Sequence, residues 1–335
     1  MPRLPALAVT AVFFAALAAT GLTARAQEKV GFGDQPALTA LAASVGIAKG
    51  FFREEGLEVT QVFGQRPTDT IPAALAGHVQ FGYSGAPPLL AATANGAELV
   101  AIGLFSHGYS GILVASNANA KLRTLAEFRG KRIGMQRGTG VATVFQIALA
   151  RQGLSEKDFQ ISNLRIADMP TAMQGGSFDA VLGWEPNMSR IVSLGYGQKV
   201  MTSDQFEKLA DITYAFPVFT TRDVLTRRPE LVQKFMNAWV KAQYFAHANR
   251  DESLQILRKT LGDAVKHTPQ AELESLAYVY KKTRVAFTDA DVKDIETVRD
   301  FMFQDGQIKV KPDLAKLIDN SFALKAEQNF RAKAK

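Results

Sequence analysis

Three short stretches carry the residue types that could do chemistry. Ser84-Gly85-Ala86-Pro87 and Arg137-Gly138-Thr139-Gly140 each follow a predicted strand and lead into a predicted helix, combining a hydroxyl with glycines. Glycine lets backbone approach a ligand closely, and a helix start offers unpaired N–H groups with a partial positive charge, so both loops suit an anion. Ser84 points to a ligand first, with a plain N-cap as its alternative reading. Arg137 could fork onto a sulfonate or carboxylate, or be a surface arginine at a strand end. The third stretch is Trp184-Glu185-Pro186. Trp184 would give a flat apolar wall for an alkyl chain or ring, and Glu185 either sits in a helix's first turn or pairs with a ligand amine. Rim candidates are Asp34 and Gln35 after the first predicted strand, Gln65 after the second, and Asp168 with Met169 further on; Phe105, His107 and Tyr109 would add lining.

Catalytic chemistry finds little in these residues. The chain has no Cys, its four histidines (His78, His107, His247 and His267) lack metal-ligand spacing, and neither a P-loop nor a GxSxG elbow occurs. A serine nucleophile needs a base within reach, and no pattern supplies one. No catalytic residue, metal or cofactor is therefore expected, and the chemistry is that of binding.

Composition narrows the setting. With 335 residues, 47% hydrophobic and 21% charged, and 26 Gly and 13 Pro, the chain is ordinary globular material, long enough for two lobes. The net charge of +7 is spread along the sequence, which argues against a nucleic-acid partner. Residues 1–26 hold Arg3, an uncharged apolar run over 4–22 and the small-x-small triplet Ala24-Arg25-Ala26, so a signal peptide cleaved before Gln27 is expected. Without Cys there is neither a disulfide nor a thiol for lipid anchoring. An exported, unanchored monomer in a Gram-negative periplasm is the expectation.

The elements that position the loops alternate. Strands are predicted at 29–34, 58–63, 79–83, 99–104, 111–115, 132–135, 161–166, 180–183, 199–202 and 212–221, in the pattern of a mostly parallel α/β sheet. Thr124 with Glu127 and Ser155 with Asp158 form capping boxes, and Gly56, Gly77, Gly130 and Gly153 stand where helices stop. Beyond Thr221 only helices are expected, with starts near Pro229, Asp251, Pro269, Thr288 and Pro312. The chain also echoes itself: residues 79–87 (VQFGYSGAP) align with 178–186 (FDAVLGWEP), and Val30-Gly31-Phe32-Gly33 with Ile133-Gly134-Met135-Gln136. Two similar lobes follow, with Trp184 facing Ser84 between them.

The segments LAASVGIAKGFFREEGLEVTQVFG, PAALAGHVQFGYSGAPPLLAA, LAEFRGKRIGMQRGTG and QGGSFDAVLGWEP carry a family resemblance. Together they resemble the periplasmic substrate-binding proteins of ABC importers for aliphatic sulfonates, taurine and nitrate, a group that includes binders of pyrimidine thiamine precursors. The resemblance implies an α/β, two-lobed type II periplasmic-binding fold with two crossover strands, a ligand cleft between the lobes and a C-terminal helical segment. Lobe 1 would comprise 27–116 and 214–335, and lobe 2 would comprise 117–213. It also implies delivery of a small organic anion, a sulfonate before all, to an ABC permease with its separate ATPase. Nitrate, an aromatic acid and a pyrimidine stay open as ligands, since members with different ligands share these motifs. A periplasmic enzyme of the same fold is the alternative from another class, although the branch that makes a pyrimidine carries a cysteine-rich motif missing here.

Overall fold

The computed structural model describes residues 27–36, 38–64, 69–108, 111–265, 273 and 284–333. The segment 1–26 and residues Gln65, Tyr109 and Pro269, about which the sequence raised expectations, lie outside them.

The first sheet opens the chain. β1 (Glu28–Asp34) leads through α1 (Leu41–Ala48) and α2 (Phe51–Glu54) to β2 (Leu57–Phe63), then α3 (Thr70–Leu75), β3 (Phe81–Tyr83), α4 (Ala86–Ala94) and β4 (Leu99–His107). The second begins with β5 (Ile112–Ala115) and β6 (Arg132–Met135), followed by α5 (Gly140–Arg151), β7 (Gln160–Asn163), α6 (Met169–Gln174) and β8 (Ala180–Gly183). It is completed by α7 (Asn187–Ser193), β9 (Gln198–Met201) and α8 (Ser203–Ala210), after which β10 (Ala215–Thr221) returns to the first sheet. Helices α9 (Arg222–Arg227), α10 (Pro229–Ala248), α11 (Arg250–Leu261), α12 (Asp289–Gln304), α13 (Leu314–Leu317) and α14 (Ser321–Lys333) form the C-terminal segment.

The two sheets have one topology. Their orders are β2-β1-β3-β10-β4 and β7-β6-β8-β5-β9, so β3 and β8, the strands of the internal repeat, hold the same central place. Pairings among β1, β2 and β3 and among β6, β7 and β8 are parallel. β10 and β5 pair antiparallel on both sides, because each arrives from the opposite lobe running the other way. Four of the five strands in each sheet thus run the same way, as expected, with a single reversed strand between neighbours. One correction follows: the change of sheet comes before β5, not at residue 117, since Ile112–Ala115 hydrogen-bonds to β8 and β9.

Local signals act as expected. Both capping boxes form, and Gly56 and Gly130 end their elements with φ of 77° and 73°, a conformation that a side chain disfavours. β4 lies at a sheet edge yet is buried throughout, because α13 and α14 cover it and Ala101 bridges to Ile318. One face of the first sheet packs on α1, α10 and α14 through an aromatic cluster in which Phe81 and Phe235 stack 4.0 Å apart. The other face joins α4, α5, α8 and α12 in an apolar cluster that crosses between the lobes, and Gln307 beyond α12 bonds Gln146 of α5 at 2.9 Å.

Candidate functional site

Parallel strands end where the following helices begin, so the starts of α4 and α5 are brought together at the carboxyl ends of β3 and β6. Pro87 and Pro88 have no N–H, and the Leu89 amide bonds the Gly85 carbonyl at 3.3 Å, which leaves Ala86 as the amide of α4 without an intrahelical acceptor. In α5, Thr139 is the N-cap: its hydroxyl donates to the Gln136 carbonyl at 2.7 Å and accepts from the Ala142 amide at 3.3 Å. That leaves the Gly140 and Val141 amides with no acceptor in the helix. The N-cap of α4 is Gly85 rather than Ser84; Ser84, one residue earlier, is buried, and its hydroxyl has no hydrogen-bond partner among the described residues.

Between the two helix starts stands Tyr214, on the crossover that returns to β10. A Cβ added at Gly85 would fall 2.0 Å from the Tyr214 phenol oxygen, and one at Gly140 would fall 1.4 Å from it. The glycines are thus required by a side chain pressed against both loops. Tyr214 is buried, its hydroxyl has no partner among the described residues, and burial pushes the phenol above its ordinary value.

The other candidates are placed as follows. Asp34, fully buried, accepts hydrogen bonds from Gln61 Nε2 at 2.8 Å and from the amide of half-buried Gln35 at 2.7 Å. Burial pushes its carboxyl up to about 7, against the lowering effect of Gln61, the Gln35 amide and Tyr83. Arg137 pairs with Glu156 at 2.7 Å on the surface, beside a cavity of about 530 Å³ between α4, α5 and α12. Asp168 pairs with Arg165 at 2.7 Å, also at the surface. Trp184 is partly buried against the interlobe apolar cluster. Glu185 is buried just ahead of α7, before its N-cap Pro186: Oε2 accepts from the Ser189 amide at 2.8 Å and Oε1 lies 2.7 Å from Lys199 Nζ. A cation thus already answers the Glu185 charge, and the residue stands ahead of the helix rather than in its first turn.

Ser84, Gly85, Thr139 and Gly140 are therefore brought together, whereas Arg137, Asp168 and Glu185 are each engaged by partners of their own. Sequence reasoning missed Tyr214, which it read as interior to a strand; glycine at both loop positions was the available signal that something bulky presses there. His107 ends β4, with Nε2 3.4 Å from Asp291 Oδ1. Burial alone would raise the Asp291 carboxyl, but the His107 ring, the Arg284 guanidinium and the Thr288 amide and hydroxyl hold it well below the usual carboxylate range. His107 pairs in register with Ala215 of β10, so this buried cluster sits beside the crossover. Among the described residues no group of three or more His, Cys, Asp or Glu could hold a metal ion, and no helix is long and apolar enough to cross a membrane.

Comparison with known families gives a match to the NMT1/THI5 like model over residues 39–253. The chain belongs to the NMT1/THI5 like family. Relatives of this NMT1/THI5 like chain include a "Putative binding protein" of Brucella abortus, 27% identical over 227 residues that make up 67% of each chain. Another is the "Putative aliphatic sulfonates-binding protein" of Bacillus subtilis, 26% identical over 277 residues, covering 82% of this chain and 80% of that one. Among solved structures, the alkanesulfonate-binding protein SsuA from Xanthomonas axonopodis bound to MOPS superposes with a TM-score of 0.73 at 20% identity, over 88% of this chain and 98% of that chain. The desulfurization enzyme DSZB shares the fold too, with a TM-score of 0.68 at 15% identity over 91% of this chain. The two-lobed periplasmic-binding fold of this NMT1/THI5 like protein is thereby shown, C-terminal helical segment included.

Proposed function

We propose that the protein is the substrate-binding component of an ABC importer and takes up small sulfonate-type organic anions, alkanesulfonates foremost. The observation that carries the reading is the meeting of two helix starts from opposite lobes, with amides lacking intrahelical acceptors and a buried Ser84 hydroxyl without a partner. A multi-oxygen anion completes such a donor set, whereas an amine does not. Relatives named for aliphatic sulfonates supply the chemical class. Residues 1–26 act as an export signal, so the mature chain starts at Gln27 in the periplasm and hands its ligand to an inner-membrane permease driven by an ATPase. Ligand stabilises the closed arrangement of the lobes, and the closed form is the one delivered.

The protein does no chemistry on its cargo. The likeness to DSZB is a likeness of fold at 15% identity, and the present chain has no Cys from which to build a thiolate nucleophile. A thermal-shift screen of purified protein against alkanesulfonates, taurine, nitrate, aromatic acids and aminopyrimidines tests the ligand class. Stabilisation by alkanesulfonates above the other classes is expected; stabilisation by an aminopyrimidine alone would replace the reading.

A further inference from the structure

We infer that Tyr214 is a ligand-binding residue whose phenol O–H, wedged between the starts of α4 and α5, donates a hydrogen bond to the anionic head and joins it to both lobes. The inference rests on the reading that the anion sits at those two helix starts.

The position of the ring is set in advance. The Tyr214 amide donates to Glu207 Oε1 at 3.1 Å, and its carbonyl accepts from the Gly108 amide at 2.8 Å, so the returning crossover is tied to the outgoing one. Thr213, just before it, is held by Asp294 of α12 at 2.9 Å. The ring packs edge-on against Phe216, with centroids 4.7 Å apart at 83°. A donor fixed this way loses little freedom when a ligand arrives.

The hydroxyl itself is what the packing leaves unexplained. Tyr83, equally buried, has its hydroxyl 2.7 Å from Thr39 Oγ1 and so is answered within its lobe. The Tyr214 hydroxyl is not answered among the described residues, and leaving a buried O–H unpaired costs about 1–3 kcal/mol. A core position would take phenylalanine instead. Here the chain keeps the hydroxyl and also gives up a side chain at both Gly85 and Gly140 to admit it. Because burial raises the phenol above its ordinary value, the group remains an O–H donor throughout the neutral range.

Tyr214 Oη, Ser84 Oγ and the amides of Ala86, Gly140 and Val141 then form one donor set drawn from both lobes and from the hinge between them. A sulfonate, whose three oxygens accept without carrying a proton of their own, can accept from all three sources at once. In this arrangement of the lobes the phenol meets both helix starts together, so a ligand bound there is joined to each.

The test is Tyr214→Phe, which keeps the ring and removes the donor. In calorimetric titrations with 1-hexanesulfonate, the variant is expected to bind about ten- to a hundredfold more weakly than wild type. The melting temperature without ligand should hold or rise, because a buried unpaired group is gone. Wild-type binding with equal affinity in Tyr214→Phe overturns this inference alone; no binding by wild type to any sulfonate overturns the functional reading and this inference with it. A measurement on unmutated protein stands beside these. In proton NMR with tyrosine labelled, the Tyr214 hydroxyl proton should shift downfield and exchange more slowly on adding 1-hexanesulfonate, and an unmoved signal at saturating ligand overturns the hydrogen bond.

Discussion

Replacing Asp34 by Asn removes a carboxyl that the fold holds in an unfavourable place. Asp34 is buried with no cation beside it among the described residues, and its carboxyl is pushed from an ordinary 3.8 up to about 7. The native state holds this proton more tightly than the unfolded chain does, so stability falls as pH rises from about 4 to about 7 and is level above that. A shift of about three units, at about 1.36 kcal/mol each, sets the full loss at about 4 kcal/mol. About 2–3 kcal/mol of it falls between pH 5 and pH 8. Asparagine matches the neutral acid in shape: its carbonyl can accept from the Gln35 amide, and its N–H can donate to Gln61 once that side-chain amide is turned. Urea unfolding of wild type and Asp34→Asn at pH 5, 6, 7 and 8 reads the effect directly. The variant should gain on wild type by about 2–3 kcal/mol over that range. Parallel profiles would refute the raised carboxyl, and a gap widening in favour of wild type would mean that Asp34 is ionised and answered by a cation.

Two further substitutions separate binding from support. Thr139→Ala should cost about 1 kcal/mol of stability as a lost N-cap, with sulfonate affinity almost unchanged, because the hydroxyl is already spent on Gln136 and Ala142; paired melting and titration experiments check both halves. Glu185→Gln should destabilise by about 1–3 kcal/mol by stripping Lys199 and the Ser189 amide of their carboxylate. Its ratio of affinities for taurine and ethanesulfonate should equal that of wild type, and a selective loss of taurine would show that Glu185 meets the ligand amine.

The features readable from the chain were those written in local pattern. The repeat of 79–87 in 178–186 corresponds to β3 and β8, central in two sheets of one topology, and the capping boxes at Thr124 and Ser155 mark real element starts. The antiparallel course of β5 escaped notice because four apolar residues look alike whichever way they run. The partners of the charged candidates were hidden for a related reason. Glu185 finds Lys199, and Arg137 finds Glu156, across spacings that no helix or strand period announces. Asp34 owes its raised carboxyl to burial, which outweighs the opposing hydrogen bonds from Gln61 and Tyr83 that strand register and sheet order bring beside it. Tyr214 was hidden in the same way: only the fold shows which side chain fills the space that Gly85 and Gly140 leave open.

Titration of the purified mature protein with a series of linear alkanesulfonates, followed by mass spectrometry of the recovered ligand, bears most directly on whether this is a sulfonate receptor. One saturable site per chain is predicted, with the sulfonate returned intact. A chain that binds none of the series, or that releases sulfite from it, would contradict that prediction.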